Sequence, residues 1–329
     1  MRAWIQLFLA ICLITFGFYA YADTAAMKML ERMTEASKQL NYEGVFAYQT
    51  GKNLQSIRII HRSNADGEVE RLISLNGVAR EVIRSNDMVT CINPDGKRVS
   101  VSRRPLGRGF PSDLPRRLNS AAPYYDVKLG KDGRVADRKA TALIITPVDN
   151  YRYGYRLWVD KKTNLLLKSE LVAHNGDVLE TFAFSSLKTG IDIPDSMLKP
   201  QTSGSEMTMH RSEPESSTEM ATHNTLSSWH TKWLPAGFGL VALQTRLRAD
   251  NGAPVEQRVY SDGLSSVSVF IEQIRAHHNI HLSGASHVGA VNAYGTTNHA
   301  HFVTVVGEVP AETVKKIGLS VKFEDANHQ

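Results

Sequence analysis

The sequence predicts an exported α+β protein of two modules: a helix against a strongly curved or partly closed antiparallel sheet, then a smaller α+β unit. Three observations carry this reading. Apolar residues recur every three or four positions over residues 24–41, and turn pairs of the Asn-Gly and Asp-Gly type punctuate β-rich segments between residues 44 and 187. A polar stretch at 200–226 then separates these from a second β-rich run. The 329-residue length suits two cores, and a chain that is 42% hydrophobic and 22% charged is neither collagen, coiled coil nor wholly disordered. A net charge of +5 is too weak to argue for nucleic acid, although it favours approach to anionic lipid.

Residues 1–22 form a targeting segment. Arg2 precedes an apolar run over residues 3–19, and Ala20-Tyr21-Ala22 supplies the small-x-small pattern of a Sec-type signal-peptide cleavage site, leaving Asp23 as the new N-terminus. An uncleaved anchor is the alternative, disfavoured by the short apolar run. Cys12 follows Ile11, which is bulky where a lipid-attachment signal needs a small residue. After cleavage Cys91 is the only cysteine, so no internal disulfide forms. A catalytic thiol there is weighed against a small packing residue on a strand, and the strand context favours packing.

Over residues 24–41 the positions Ala26, Met29, Leu30, Met33, Ala36 and Leu40 share one helical face, with Asp23 placed to cap the start. Strands follow at 44–49, 56–61, 78–84, 124–129, 140–146, 153–159, 165–172 and 178–187, with turn signals between them. Roughly ten strands exceed what a flat sheet tolerates, so curvature is expected. A helix and the basic loop plugging the mouth of a half-barrel would leave an elongated apolar cavity in which a lipid chain could lie, and a completely filled core is the alternative. Glu68 and Glu70 share a strand face beside Arg71 and read as surface charge on a solvated hairpin.

The loop over residues 102–119 carries Arg103, Arg104, Arg108, Arg116 and Arg117 against the single acid Asp113. Guanidinium groups match phosphate oxygens in bidentate geometry, so this loop is the candidate anionic-lipid site; simple solvation is the competing account. Residues 200–226 hold few large apolar side chains and cannot offset their ordering entropy by burial, which marks a linker. The division is therefore signal 1–22, first module 23–199, linker 200–226 and second module 227–322. In the second module strands fall at 240–248, 255–260, 267–271, 287–294 and 299–307, with a helix at 310–320. Trp229, Trp233 and Phe238 read as core.

His277, His278, His281, His287, His299 and His301 cluster in sequence, but no Cys or Glu completes a zinc spacing. Nucleophile elbow, phosphate loop, HExxH and dinucleotide fingerprints are all missing from the sequence. The expectation is a binding protein with no cofactor, no metal and no catalysis. A histidine-dependent metallohydrolase is the weakest alternative.

Several segments carry a family resemblance. They are residues 40–48 (Leu-Asn-Tyr-Glu-Gly-Val-Phe-Ala-Tyr), 70–82 (Glu-Arg-Leu-Ile-Ser-Leu-Asn-Gly-Val-Ala-Arg-Glu-Val), Cys91 with Pro94 and Asp95, and 153–160 (Tyr-Gly-Tyr-Arg-Leu-Trp-Val-Asp). In the second module they are 233–238 (Trp-Leu-Pro-Ala-Gly-Phe), 260–264 (Tyr-Ser-Asp-Gly-Leu), 269–272 (Val-Phe-Ile-Glu) and 304–310 (Thr-Val-Val-Gly-Glu-Val-Pro). Together they resemble the RseB/MucB family of periplasmic sigma-E regulators. The resemblance implies a lipoprotein-carrier-like (LolA-like) unclosed β-barrel over helices, plus a smaller C-terminal α+β domain. It also implies a soluble periplasmic protein that binds the periplasmic domain of an inner-membrane anti-sigma factor of the RseA or MucA type. Family members shield that partner from site-1 proteolysis, and lipid or lipopolysaccharide relieves the shielding. A periplasmic lipid or lipoprotein carrier is the main alternative, and homo-oligomer formation stays open. The polar linker and the histidine cluster depart from the family pattern.

Overall fold

The computed structural model describes residues 24–86, 88–93, 98–103, 122–201, 208–211, 228–247, 252–274 and 283–324. Residues 1–23 (the expected signal segment with Asp23), most of the arginine loop and the sequence-clustered His277, His278 and His281 lie outside these residues.

Helix α1 (Thr24–Gln39) buries Ala26, Leu30, Met33 and Ala36, the stripe its periodicity predicts. Each fully buried Leu or Met side chain contributes roughly 1.5–3 kcal/mol. The helix ends where the chain turns into the sheet, and its last carbonyls are not left bare: Leu40 N–H donates to Ala36 O, and His61 Nδ1 meets Leu40 O at 2.8 Å.

Twelve strands form the first sheet. They are β1 (Tyr42–Thr50), β2 (Asn53–Asn64), β3 (Gly67–Ser74), β4 (Glu81–Ser85), β5 (Met88–Asn93), β6 (Arg98–Arg103), β7 (Tyr125–Val135), β8 (Arg138–Pro147), β9 (Gly154–Asp160), β10 (Leu166–Val172), β11 (Val178–Thr189) and β12 (Thr208–Arg211). Their order is β12-β6-β5-β4-β3-β2-β1-β11-β10-β9-β8-β7, so the sheet keeps two edges and does not close. All neighbours run antiparallel except β12, which lies parallel to β6. That strand sits within the stretch read as a linker, so the linker is not free of structure throughout: a strand can gain order from backbone hydrogen bonds to a sheet edge without burying apolar side chains.

Bulges at Val45/Phe46, Leu129/Asp132 and Leu171/Val172 add twist to the ladder. At Gly44 a Cβ would stand 2.6 Å from Ser186 O, so only glycine permits β1 to approach β11 there. Helix α2 (Asp195–Leu198) covers the outer face, where Ile60, Ile193 and Leu198 pack with Val69, Ile73 and Met197.

The second module holds β13 (Trp229–Thr231), β14 (Gly239–Leu247), β15 (Pro254–Ser261), β16 (Ser266–Gln273), β17 (Gly284–Val288), β18 (Val291–Asn298), β19 (His301–Gly307), helix α3 (Ala311–Ser320) and β20 (Val321–Phe323). Six of the strands form a sheet ordered β14-β15-β16-β19-β18-β17, while β13 pairs with β20. Its core joins Trp229, Phe238, Val269, Val303, Val305, Val314 and Ile317, which places Trp229 and Phe238 inside as expected. The strand expected at 287–294 is instead a hairpin, because Gly289 adopts φ +59° and reverses the chain.

Candidate functional site

Residues directly opposite each other in antiparallel strands share a face, so the pairings trace one surface across the first sheet. The row Leu143, Leu157, Ser169, Phe182, Tyr48 and Gln55 crosses β8, β9, β10, β11, β1 and β2. This is the face that receives α1, whose Ala26, Leu30 and Met33 pack on Val127, Leu143, Ile145, Leu157, Val159 and Leu166. Next along it stands an aromatic wall of Tyr42, Phe46, Phe182 and Phe184 with Ile59 and Leu165. Beyond that wall no other described residue fills the surface over β2 to β6, and a cavity of about 820 Å³ remains among the described residues.

The volume falls within the range of small-molecule sites. Ile57, Leu72, Val82 and Ile92 line it with apolar surface, while Asn53, Gln55, Ser74, Asn76, Arg80, Arg84 and Asn93 add polar groups. The sequence reading left open a fully filled core; among the described residues a hollow remains. Cys91 is on β5 as expected, yet it faces this hollow rather than a sealed interior.

A polar row bounds the cavity. Tyr42, His61, Glu70 and Arg84 lie opposite one another on β1, β2, β3 and β4. Tyr42 stacks on His61 with centroids 4.8 Å apart, His61 Nε2 is 3.3 Å from Glu68 Oε1, and Arg84 pairs with Glu70. Burial raises the Tyr42 hydroxyl pKa, and the Glu70 and Glu68 charges push it the same way. On the opposite face Arg71 and Glu81 form a buried pair at 2.9 Å, with Arg71 also donating to Met197 O. Glu68 and Glu70 are therefore not plain surface charge. Their spacing in β3 was visible, but their partners become apparent only once the strand register is known.

Of the arginines expected to receive an anionic headgroup, Arg103 ends β6, a strand whose Ser100 lines the cavity. Arg104, Arg108, Arg116 and Arg117 lie outside the described residues. The cations that the structure does place at the cavity are Arg80 and Arg84. The alternation of Arg80, Val82 and Arg84 after the Asn76-Gly77 turn was the available signal for them. Among the remaining histidines, His301 packs on Trp229 at 5.0 Å and His299 contacts Asn298. Among the described residues no group of three or more His, Cys, Asp or Glu is placed to hold a metal, and no helix is long and apolar enough to cross a membrane.

The second module seats on the end of the first sheet where β7 and β9 begin. Arg152, in the β8–β9 connection, is completely buried there. Its guanidinium donates to Asp262 Oδ2 at 2.6 Å, to both Asp149 oxygens at 2.8 and 3.1 Å, and to Ala236 O at 2.7 Å. The rings of Tyr124, Tyr125 and Phe238 surround it at 5.1–5.6 Å. Tyr125 OH donates to Asp262, whose other oxygen accepts Leu264 and Ser265 N–H. Gly237, at φ +85°, brings its backbone so close to Tyr124 that a Cβ would stand 2.0 Å from the ring.

A second contact zone adds Asn292 donating to Tyr153 OH and Thr313 Oγ1 donating to Tyr151 O. Lys316 lies over the Trp233 ring at 4.1 Å and donates to Tyr151 OH. A third is at Gly289, the β17–β18 turn, where a Cβ would meet Thr50 Oγ1 at 2.2 Å. Thr50 is followed directly by the turn into Asn53 and Leu54, which line the cavity. The hollow and the docked module are thus neighbours at one end of the sheet.

Fold and site define a two-module binding protein: a half-barrel with an open hollow, and a second domain anchored beside its mouth. Family models for the MucB/RseB N-terminal domain and the MucB/RseB C-terminal domain match residues 25–202 and 223–322. The chain belongs to the MucB/RseB family. It is 32% identical to the sigma factor AlgU regulatory protein MucB of Pseudomonas aeruginosa, over 92% of each chain. It is 28% identical to the sigma-E factor regulatory protein RseB of Salmonella typhimurium, over 98% of each. Among solved structures, MucB in the Pseudomonas aeruginosa MucA/MucB complex superposes with a TM-score of 0.73 at 30% identity, covering 92% of this chain and 100% of that one.

Proposed function

We propose that this protein is a periplasmic negative regulator of a sigma-E-type envelope stress response. In this reading it binds the periplasmic domain of a membrane anti-sigma factor, shields that domain from site-1 proteolysis, and lets go when an anionic lipid or lipopolysaccharide acyl chain enters the cavity. Its family and the structure of its relative MucB with MucA support the partner. The observation that carries the lipid arm is the 820 Å³ hollow, apolar along Ile57, Leu72 and Val82 and cationic at Arg80, with Arg84 beside it paired to Glu70. The arginine loop, Arg103 with Arg104, Arg108, Arg116 and Arg117, is proposed to add headgroup contacts.

A ligand shifts a conformational balance only if it binds one state better than the other. The Gly289 turn resting on Thr50 supplies a route: a chain that displaces the start of β2 would press on the seat of the second module. The test is limited proteolysis of the anti-sigma domain by its site-1 protease, with this protein present and then with lipopolysaccharide added. Protection that lipid removes is the expected result; equal cleavage with and without this protein would overturn the reading. A lipid or lipoprotein carrier would use the same cavity, and it is distinguished by transfer of lipid to an acceptor without any protection of the anti-sigma domain.

A further inference from the structure

The cavity opens between two connections that hold apolar side chains out in water. Leu54, Leu75 and Val78 are 57%, 50% and 66% exposed. The Asn76 carboxamide is fixed between β2 backbone groups, donating to Leu54 O at 3.1 Å and accepting from Ser56 N–H at 2.7 Å. Leu75 N–H donates to Ser56 O, Ser74 N–H donates to Arg80 O, and Ser74 Oγ donates to Asn76 O. Gly77, at φ +71°, makes the reversal. Val288, 80% exposed, is added from the second module, beside the Gly289 turn that meets Thr50.

A single exposed leucine needs no explanation, but Leu54 and Val78 both line one opening and Leu75 lies in the same connection as Val78. Over residues 50–55 and 74–80 the charged side chains are Lys52 and Arg80, while on the side nearer Gly289 the Glu180 carboxylate accepts from Thr50 Oγ1 at 3.0 Å. Apolar tips between cations match the boundary of an anionic membrane, where headgroups meet acyl chains.

We propose that this rim docks on an anionic lipid bilayer, with Leu54, Leu75, Val78 and Val288 entering the interface and Lys52 and Arg80 pairing with headgroup phosphates, so that the cavity faces the acyl layer. The inference rests on the reading of the cavity as a lipid site and adds where the lipid enters. A soluble phosphate compound would need Arg80 but not the leucines. A protein partner seated on the same rim is the outcome that would displace the proposal.

The experiment uses the mature full chain and measures co-sedimentation with vesicles of phosphatidylglycerol and, separately, phosphatidylcholine. Uptake of a monomeric fluorescent fatty acid reads the cavity independently of the rim. Wild type should bind phosphatidylglycerol vesicles, weakening with salt, and bind phosphatidylcholine poorly. Lys52→Gln, and separately Leu75→Ser with Val288→Ser, none of which lines the cavity, should each weaken vesicle binding several-fold while fatty-acid uptake and melting temperature hold. Unchanged vesicle binding in the apolar variant, equal binding to both lipids, or loss of anti-sigma binding with vesicle binding intact would overturn it. Loss of fatty-acid uptake in a cavity-filling variant, or its absence in wild type, speaks to the cavity reading instead.

Discussion

Arg152 shows what a buried charge does between two domains. Its guanidinium is fully enclosed, and Asp149, Asp262 and the Ala236 carbonyl together satisfy it. Removing one member leaves Asp262 buried without its cation, so Arg152→Met should cost about 3–5 kcal/mol of stability in chemical denaturation. Combining it with Asp262→Asn should cost less than the sum of the single changes, because the second change removes the stranded charge. Strict additivity would show that the pair does not act as a unit.

His61 is the second residue of consequence. Burial works against its imidazolium, but the hydrogen bond to Glu68, the Leu40 carbonyl and the Glu70 charge outweigh that and raise its pKa above the ordinary value of 6.5. A raised folded-state pKa stabilises the fold fully below the unfolded value, and that contribution fades as pH climbs through the folded one. Wild type should therefore lose stability from mildly acidic to mildly alkaline buffer, with His61→Gln flattening the profile; parallel denaturation curves across pH would contradict this.

Elements differ in how much of them could be read beforehand. Helix α1 was legible because its apolar stripe follows the helical period, and the meander because Asn-Gly and Asp-Gly turns mark its corners. The cavity was legible only as a consequence of too many strands for one helix to cover. Its residues were not, since which of Ile57, Leu72, Val82 and Cys91 face a hollow depends on register across four strands. The interdomain anchor was hidden for the same reason: Arg152 and Asp262 are 110 positions apart, and nothing local marks either as buried. Sequence reasoning instead favoured arginines that are dense in one loop. At this scale the test is to fill the hollow. Val82→Trp, or Cys91→Phe from the adjoining strand, should abolish fatty-acid uptake at a stability cost of about 1–3 kcal/mol. Retained uptake in both would place the lipid elsewhere.

For the whole molecule the decisive feature is adjacency. The second module is tied to the first at Arg152, at Tyr151 and Tyr153, and at Gly289 on Thr50, and the last of these abuts the strand that borders the cavity. Occupying the cavity and holding a partner are therefore expected to be linked, reciprocally, through the seating of one module on the other. A tenfold preference of lipid for the released state supplies about 1.4 kcal/mol, enough to tip a balanced complex. The most direct measurement is the dissociation constant of the anti-sigma periplasmic domain, by calorimetry, with and without saturating lipopolysaccharide. The account predicts weaker binding by about tenfold or more with lipid present, and an unchanged dissociation constant would contradict it.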